Sequence, residues 1–226
     1  MPGKSKPRIR LALVVACAAL VFFGGYLQAA EEPKNDDQVV DNLQKSYDSA
    51  VDFTADFRQE TELKTINRTL KAWGKVSFKR PGKMLWRYEE PKGQWVLADG
   101  QNLYFYQPEQ GQVLKSPLKN AFRSDVPLTF LLGIGNLKRD FKVTPKGVED
   151  GQHVLQLGPK DGSKGVDEVM LGVDPQTFAI SWARIRDPGG NLTTVRFTNM
   201  RRGVGLNDAL FKPQFPNGVD VVEMGK

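Results

Sequence analysis

One cysteine and one histidine in 226 residues leave little room for several kinds of chemistry. Zinc sites draw on several Cys or His ligands, a set this chain cannot supply. A Ser-His-Asp or Cys-His nucleophile would have to rest on His153, which follows the turn pair Asp150-Gly151 and reads as a turn or strand-start residue. No Gly-x-Ser-x-Gly elbow is present. Gly133-Ile134-Gly135 has Lys138 where a dinucleotide fingerprint needs its third glycine. The adjacent acids Glu31-Glu32, Asp36-Asp37 and Glu89-Glu90 read as solvated pairs. No catalytic residue, metal site or cofactor is expected, and an envelope hydrolase working through carboxylates alone is the one enzyme class left open. Internal repeats and low-complexity tracts are also missing, so solenoids and disordered tails are set aside.

The net charge of +6 invites a nucleic-acid reading, but its placement removes it. Lys4, Lys6, Arg8 and Arg10 precede an apolar run from Leu11 to Phe23, and Ala29-Ala30 precede Glu31-Glu32. A basic start, an apolar stretch and a small-residue exit describe a secretory signal peptide over 1–30, leaving a single domain over 31–226. Removing four cations from a +6 chain leaves +2, so no nucleic-acid partner is expected. Cys17 lies in the apolar run, and the mature chain then has no cysteine, which suits an oxidising compartment. Two alternatives stand beside cleavage after Ala30. One is an uncleaved anchor, since Leu11 to Ala30 approaches the ~20 residues that span a bilayer. The other is a lipobox at Val14-Val15-Ala16-Cys17 with Cys17 acylated.

Beyond Glu31 the period of the pattern divides the chain. Val39, Val40, Leu43 and Tyr47 recur at helical spacing behind Asn35, Asp36 and Asp37, which predicts one amphipathic helix ending near Ala50. After it the period falls to about two and turn signals recur at short intervals. Strands are predicted over 52–61, 65–79, 83–88, 95–98, 102–107, 112–115, 141–145, 153–157, 166–173, 178–185 and 193–200. The predicted fold is mainly β with a few helices, one antiparallel meandering sheet. Pro127 to Leu132 and Leu206 to Phe211 read as short helical turns, the latter capped by Asn207 or Asp208. Several strands are apolar on both faces: Met84, Trp86 and Tyr88 alternate with Leu85, and Leu103 and Phe105 with Tyr104 and Tyr106. A half-solvated meander shows polar residues on one face, so something must cover the second. Either the sheet curves around a packed helix or an apolar pocket lies between sheet and movable helices.

An ordered set of motifs runs along the chain, beginning with Phe53-Thr54-Ala55-Asp56-Phe57-Arg58-Gln59, then Lys79-Arg80-Pro81 with Trp86 following. Asp99-Gly100 with Leu103 to Tyr106 and Pro108, the apolar 127–132 segment, Phe211-Lys212-Pro213 and Pro216 to Val219 continue it. In this order and spacing the set resembles the LolA family of outer-membrane lipoprotein carriers. The resemblance implies a single antiparallel sheet curved into an unclosed half-barrel under a helical lid. It also implies a monomeric periplasmic chaperone that binds the acyl chains of lipoproteins. Its implied partners are those lipoproteins, an inner-membrane ABC transporter of the LolCDE type and a LolB-type outer-membrane receptor lipoprotein. A membrane-anchored LolB-like acceptor or a lipid-sensing envelope protein of the same fold is the alternative. By the same resemblance Arg80 is the lid latch, donating to carbonyls at the end of a lid helix. The acyl-chain pocket falls on Tyr47, Phe53, Met84, Trp86, Val96, Leu128 and Leu131. Met84 stands where the family carries an aromatic residue.

Overall fold

The computed structural model describes residues 36–118, 136–160 and 166–224. The chain divides into two units, 1–32 and 33–226, and the account below concerns the second. The expected signal segment, Cys17 and the 127–132 segment with Leu128 and Leu131 lie outside the described residues.

The predicted helix is present as α1, Asp36–Ser49, which turns Val39, Val40, Leu43 and Tyr47 to one side and buries them. Eleven strands stand close to the predicted ranges. They are β1 (Asp52–Leu63), β2 (Arg68–Lys79), β3 (Lys83–Glu90), β4 (Trp95–Asp99), β5 (Asn102–Gln107), β6 (Gln112–Pro117), β7 (Phe141–Glu149), β8 (Gln152–Pro159), β9 (Glu168–Val173), β10 (Ile180–Arg186) and β11 (Leu192–Arg202). A one-turn helix α2, Leu137–Asp140, precedes β7, and a twelfth strand β12, Asp220–Glu223, closes the series.

All twelve form one sheet in the order β12-β6-β5-β4-β3-β2-β1-β11-β10-β9-β8-β7. Two meanders are thus joined where β1 pairs with β11, Phe57 opposite Phe197. β12 and β7 are the two ends, so the sheet is not closed. It is strongly curled: Trp86 on β3 and Phe197 on β11 are three inter-strand steps apart, ~14 Å in a flat sheet, yet their rings are 5.8 Å apart. Curling gives the sheet an inner face, where Phe53, Phe57, Val76, Phe78, Met84, Trp86, Leu155, Leu171 and Ile180 join the buried side of α1 in one core.

Departures from the predicted pattern have local causes. The expectation of an antiparallel sheet fails at one pairing, since β12 runs parallel to β6. β2 starts at Arg68 because Lys64–Ile66 makes a 3-10 turn that ends at Asn67, φ 48°. β10 starts at Ile180 because Phe178 takes φ 50°. In the 206–211 segment the cap is Asn207, whose side chain accepts from the Ala209 amide.

The packed helix α1 covers the inner face, as the first alternative predicts, and the outer apolar face has a separate cover. Leu85, Leu97, Tyr104 and Val113 point outward and pack under Phe211, with Leu206, Leu210 and Val219 around it. Phe215 stacks on Trp95 at 6.3 Å and 11°. Asp52, the one buried charged residue among the described residues, ties this strap down. Its two carboxylate oxygens accept from the Val204 and Leu206 amides, each at 2.7 Å, and its carbonyl accepts from the Gly203 amide at 3.0 Å. Farther on, Asp208 sits between Lys79 at 2.7 Å and Lys83 at 2.9 Å, which hold its carboxyl down at about 2.

Candidate functional site

Inner-face positions of β1, β2, β3 and β11 converge beneath the last turns of α1. Strand alternation sends Phe53 and Phe57 inward from β1, Val76 and Phe78 from β2, and Met84 and Trp86 from β3. Their rings contact one another in a chain: Tyr47 edge-on to Phe53 at 6.2 Å, Phe53 stacked on Phe78 at 5.0 Å, and Phe57 against Trp86 at 4.6 Å. Between them lies a small cavity lined by Tyr47, Phe53, Val76, Trp86, Phe197 and Met200, with a free volume of about 10 Å³. That space holds about one water molecule. An acyl chain enters this cavity only if its lining moves apart.

Three of the expected pocket residues, Tyr47, Phe53 and Trp86, line this cavity together. Met84 is one position pair along β3 in the same core, its sulfur accepting from the Trp86 indole N–H at 2.8 Å. Val96 on β4 is half-buried against that core and does not line the cavity. Leu128 and Leu131 lie outside the described residues. Val76, Phe197 and Met200 were missed, although the alternation that places Phe57 and Val195 inward also marks Val76 and Phe197.

The site is apolar and keeps its polar groups uncharged. Burial pushes the Tyr47 phenol well above its usual range, the nearby Arg202 charge offsetting little of it. Tyr88, ring to ring with Phe57 at 5.1 Å, is pushed up to about 12 by burial, a hydrogen bond with Gln94 opposing the shift. Among the described residues no three His, Cys, Asp or Glu side chains gather to hold a metal ion. The lining is aliphatic and aromatic surface, with no carboxylate, imidazole or thiol among the six lining residues.

Polar contacts hold α1 over the site at its perimeter. The Arg80 guanidinium donates to Asp48 Oδ1 in the last turn at 2.8 Å, both groups partly exposed. The expected carbonyl acceptors are thus replaced by a carboxylate on the same helix end. α1 has no basic residue in its last turn, so Arg80 supplies the cation that the negative end of the helix favours. The Arg80 amide also donates to the Val51 carbonyl at 2.9 Å, while its Nε is buried without a partner among the described residues. From the other side α2 engages α1, the Leu137 amide donating to Gln44 Oε1 at 2.8 Å and Lys138 pairing with Asp41 at 2.6 Å.

Comparison with known proteins follows the same stretch of chain. The pattern of the family described as outer membrane lipoprotein carrier protein LolA matches residues 48–214. An outer-membrane lipoprotein carrier protein from Cupriavidus pinatubonensis is 33% identical over 93% of this chain and 97% of its own length. Another from Methylococcus capsulatus is 30% identical over 90% of this chain and 94% of its own length. Among solved structures, an uncharacterized conserved protein from Thermus thermophilus superposes with a TM-score of 0.53 at 12% identity, over 83% of this chain and 98% of that one. A DUF1329 family protein from Desulfovibrio piger gives 0.51 at 17% identity, over 78% and 96%. At these identities the two structures share the fold.

Proposed function

The chain belongs to the LolA family of outer membrane lipoprotein carrier proteins, and from that premise we propose how its inner face carries lipid. It is a periplasmic chaperone, and its cargo is the acylated end of lipoproteins. The acyl chains occupy the inner face where α1 now lies, against Tyr47, Phe53, Met84 and Trp86, with Val96 extending the apolar lining, and Leu128 and Leu131 are the further acyl contacts that the family resemblance implies. The observation that carries this reading is the aromatic-lined core under a helix that is held by few polar contacts at its perimeter.

The energies make reversible loading reasonable. One long acyl chain withdrawn from water is worth on the order of 10 kcal/mol, at ~0.8 kcal/mol per CH₂. Opening the lid exposes Val39, Val40, Leu43 and Tyr47, which at about 1.5–3 kcal/mol each costs about 6–12 kcal/mol. Cargo and lid thus compete for the same apolar surface at nearly equal free energy. A carrier built this way loads without trapping its cargo, and Arg80 sets the bias between the two states.

Residues 1–30 direct export and are removed. An inner-membrane ABC transporter of the LolCDE type supplies the cargo, and a LolB-type receptor lipoprotein on the outer membrane receives it. To test the carrier reading, the exported protein is incubated with lipoprotein-loaded spheroplasts supplied with ATP, and the supernatant is probed for a soluble complex. Release that depends on this protein is expected. Absence of release by the folded protein with an active transporter would overturn it.

A further inference from the structure

The outer face of the sheet carries a row of side chains that lipid loading does not use. Trp73 on β2, Arg58 on β1, Arg196 on β11 and Trp182 on β10 are direct cross-strand partners in succession. Direct partners share a face, and their chain neighbours Phe57, Val195 and Ala183 point inward, so this row points outward. Arg58 and Arg196 are thereby placed opposite each other, an arrangement that like charges disfavour. Both are exposed, and neither has an ion pair or hydrogen bond among the described residues.

Two acids of this face are already engaged. Asp56 accepts from Lys75 at 3.0 Å and from Asn199 at 2.7 Å, and Glu60 pairs with Lys71 at 3.4 Å. Arg87, opposite Lys75, and Arg201, opposite Thr54, are further exposed guanidinium groups without an ion pair among the described residues, Arg201 lying near enough to Asp56 to help hold its carboxyl down. Glu62, opposite Leu192, and Glu90, opposite Trp73, have no ion pair among the described residues, so the four unpaired arginines outnumber them two to one. Unsatisfied positive charge is therefore spread over β3, β1 and β11. Trp73, between Arg58 and Glu90, is 45% exposed. At the other end of the row Trp182 lies flat over Gly172, where any Cβ would collide with the indole, and Arg184 stacks on it at 4.7 Å.

We infer that this face docks on an anionic lipid surface, the guanidinium groups meeting headgroup phosphates and Trp73 seating at headgroup depth. Arginine matches phosphate with a planar fork of donors, and an exposed indole with its N–H favours the membrane–water interface. A broad surface fits better than a peptide. β2, β1, β11 and β10 are all paired on both sides, so no edge is available for a peptide to add as a strand. The row itself spans three inter-strand steps, ~14 Å. The assignment stands on the outer face alone and does not depend on what the inner face binds.

The test is co-sedimentation of the exported protein with vesicles of phosphatidylcholine alone and of phosphatidylcholine containing one third phosphatidylglycerol, at low and physiological salt. Binding to the anionic vesicles, weakened by salt, is expected. The double variant Arg58→Gln/Arg196→Gln should lower the partition coefficient about 30-fold, since each basic residue near an anionic surface contributes about fivefold. Trp73→Ala should lower it further, and Lys212→Gln, on the outer strap, should leave it within a factor of about five, the share of one remote charge. Circular dichroism melts establish that each variant is folded. No binding, equal binding to both vesicles, or an unchanged partition coefficient in a folded double variant would overturn the assignment. Retention of polyglutamate by the wild type, without vesicle binding, would reassign the face to an acidic protein partner.

Discussion

Replacing Arg80 by Leu should make the carrier hold its cargo more tightly and surrender it less readily. The substitution removes the 2.8 Å contact with Asp48 and leaves that carboxylate at the negative end of α1 without a counter-charge. A partly exposed pair contributes about 0.2–1 kcal/mol, and a cation at a helix C-terminus about 0.3–1 kcal/mol. The loss is about 1 kcal/mol, all of it from the closed state. At 1.4 kcal/mol per tenfold, the open fraction rises about fivefold. Because cargo binds the open state, its apparent affinity rises by the same factor and transfer to an acceptor falls correspondingly. Hydrogen exchange of the α1 amides reads the opening directly, and a transfer assay from loaded carrier to receptor reads the consequence. A double-mutant cycle with Asp48→Asn assigns the effect to the pair. If α1 amides exchanged at the wild-type rate in Arg80→Leu and handover were normal, the latch would be refuted.

Three further substitutions probe the core, the strap and its charges. Phe197→Ala should cost about 2–4 kcal/mol in urea unfolding while increasing uptake of a fluorescent fatty acid, because the cavity beside Trp86 widens; reduced uptake by a folded variant would count against the pocket. Asp52→Ala strands the Val204 and Leu206 amides and should cost about 2–4 kcal/mol, from two charge-assisted bonds to backbone, measured by the same unfolding curves. Asp208→Asn tests the lysine clamp through pH. The folded carboxyl is held at about 2, below its unfolded value near 4, so its contribution is complete above the unfolded value. It is lost as pH falls from about 4 to about 2. Wild type should melt above Asp208→Asn at pH 7 and meet it near pH 2; a constant gap would refute the assignment.

How far the fold could be read from sequence depended on whether a segment's neighbours in space were also neighbours in sequence. α1 and the strands from β3 to β6 follow from local periodicity and from turn pairs such as Asp99-Gly100, because each packs on the next. β12 escaped notice because all four of its residues are exposed and it has no alternation; its place beside β6 is set by docking of the whole 203–219 strap. The strap itself was legible as apolar residues, yet its face was not, since the anchor is Asp52, more than 150 positions earlier. At the site, the aromatic positions of β1 and β3 carried a clear pattern, whereas Met200 follows the register shift that accompanies Asn199, φ 53°, which inverts the expected inward positions near the end of β11. The contact that Arg80 makes, with a carboxylate on α1, was visible only in three dimensions.

The joint between the two meanders also dictates an order of assembly. β1 finds β2 across a short turn, but its other edge waits for β11, about 140 residues farther along. A chain delivered across the inner membrane amino end first therefore passes through a long interval in which β1 to β6 exist as a sheet with two raw, hydrogen-bond-hungry edges, β1 waiting for β11 and β6 for β12. Contacts of such long range slow folding and leave transient edges open to aggregation. For a protein whose task is to keep other molecules' lipid out of water, its own biogenesis poses the same problem first: until its penultimate strand arrives, the aromatic inner face has no finished wall behind it.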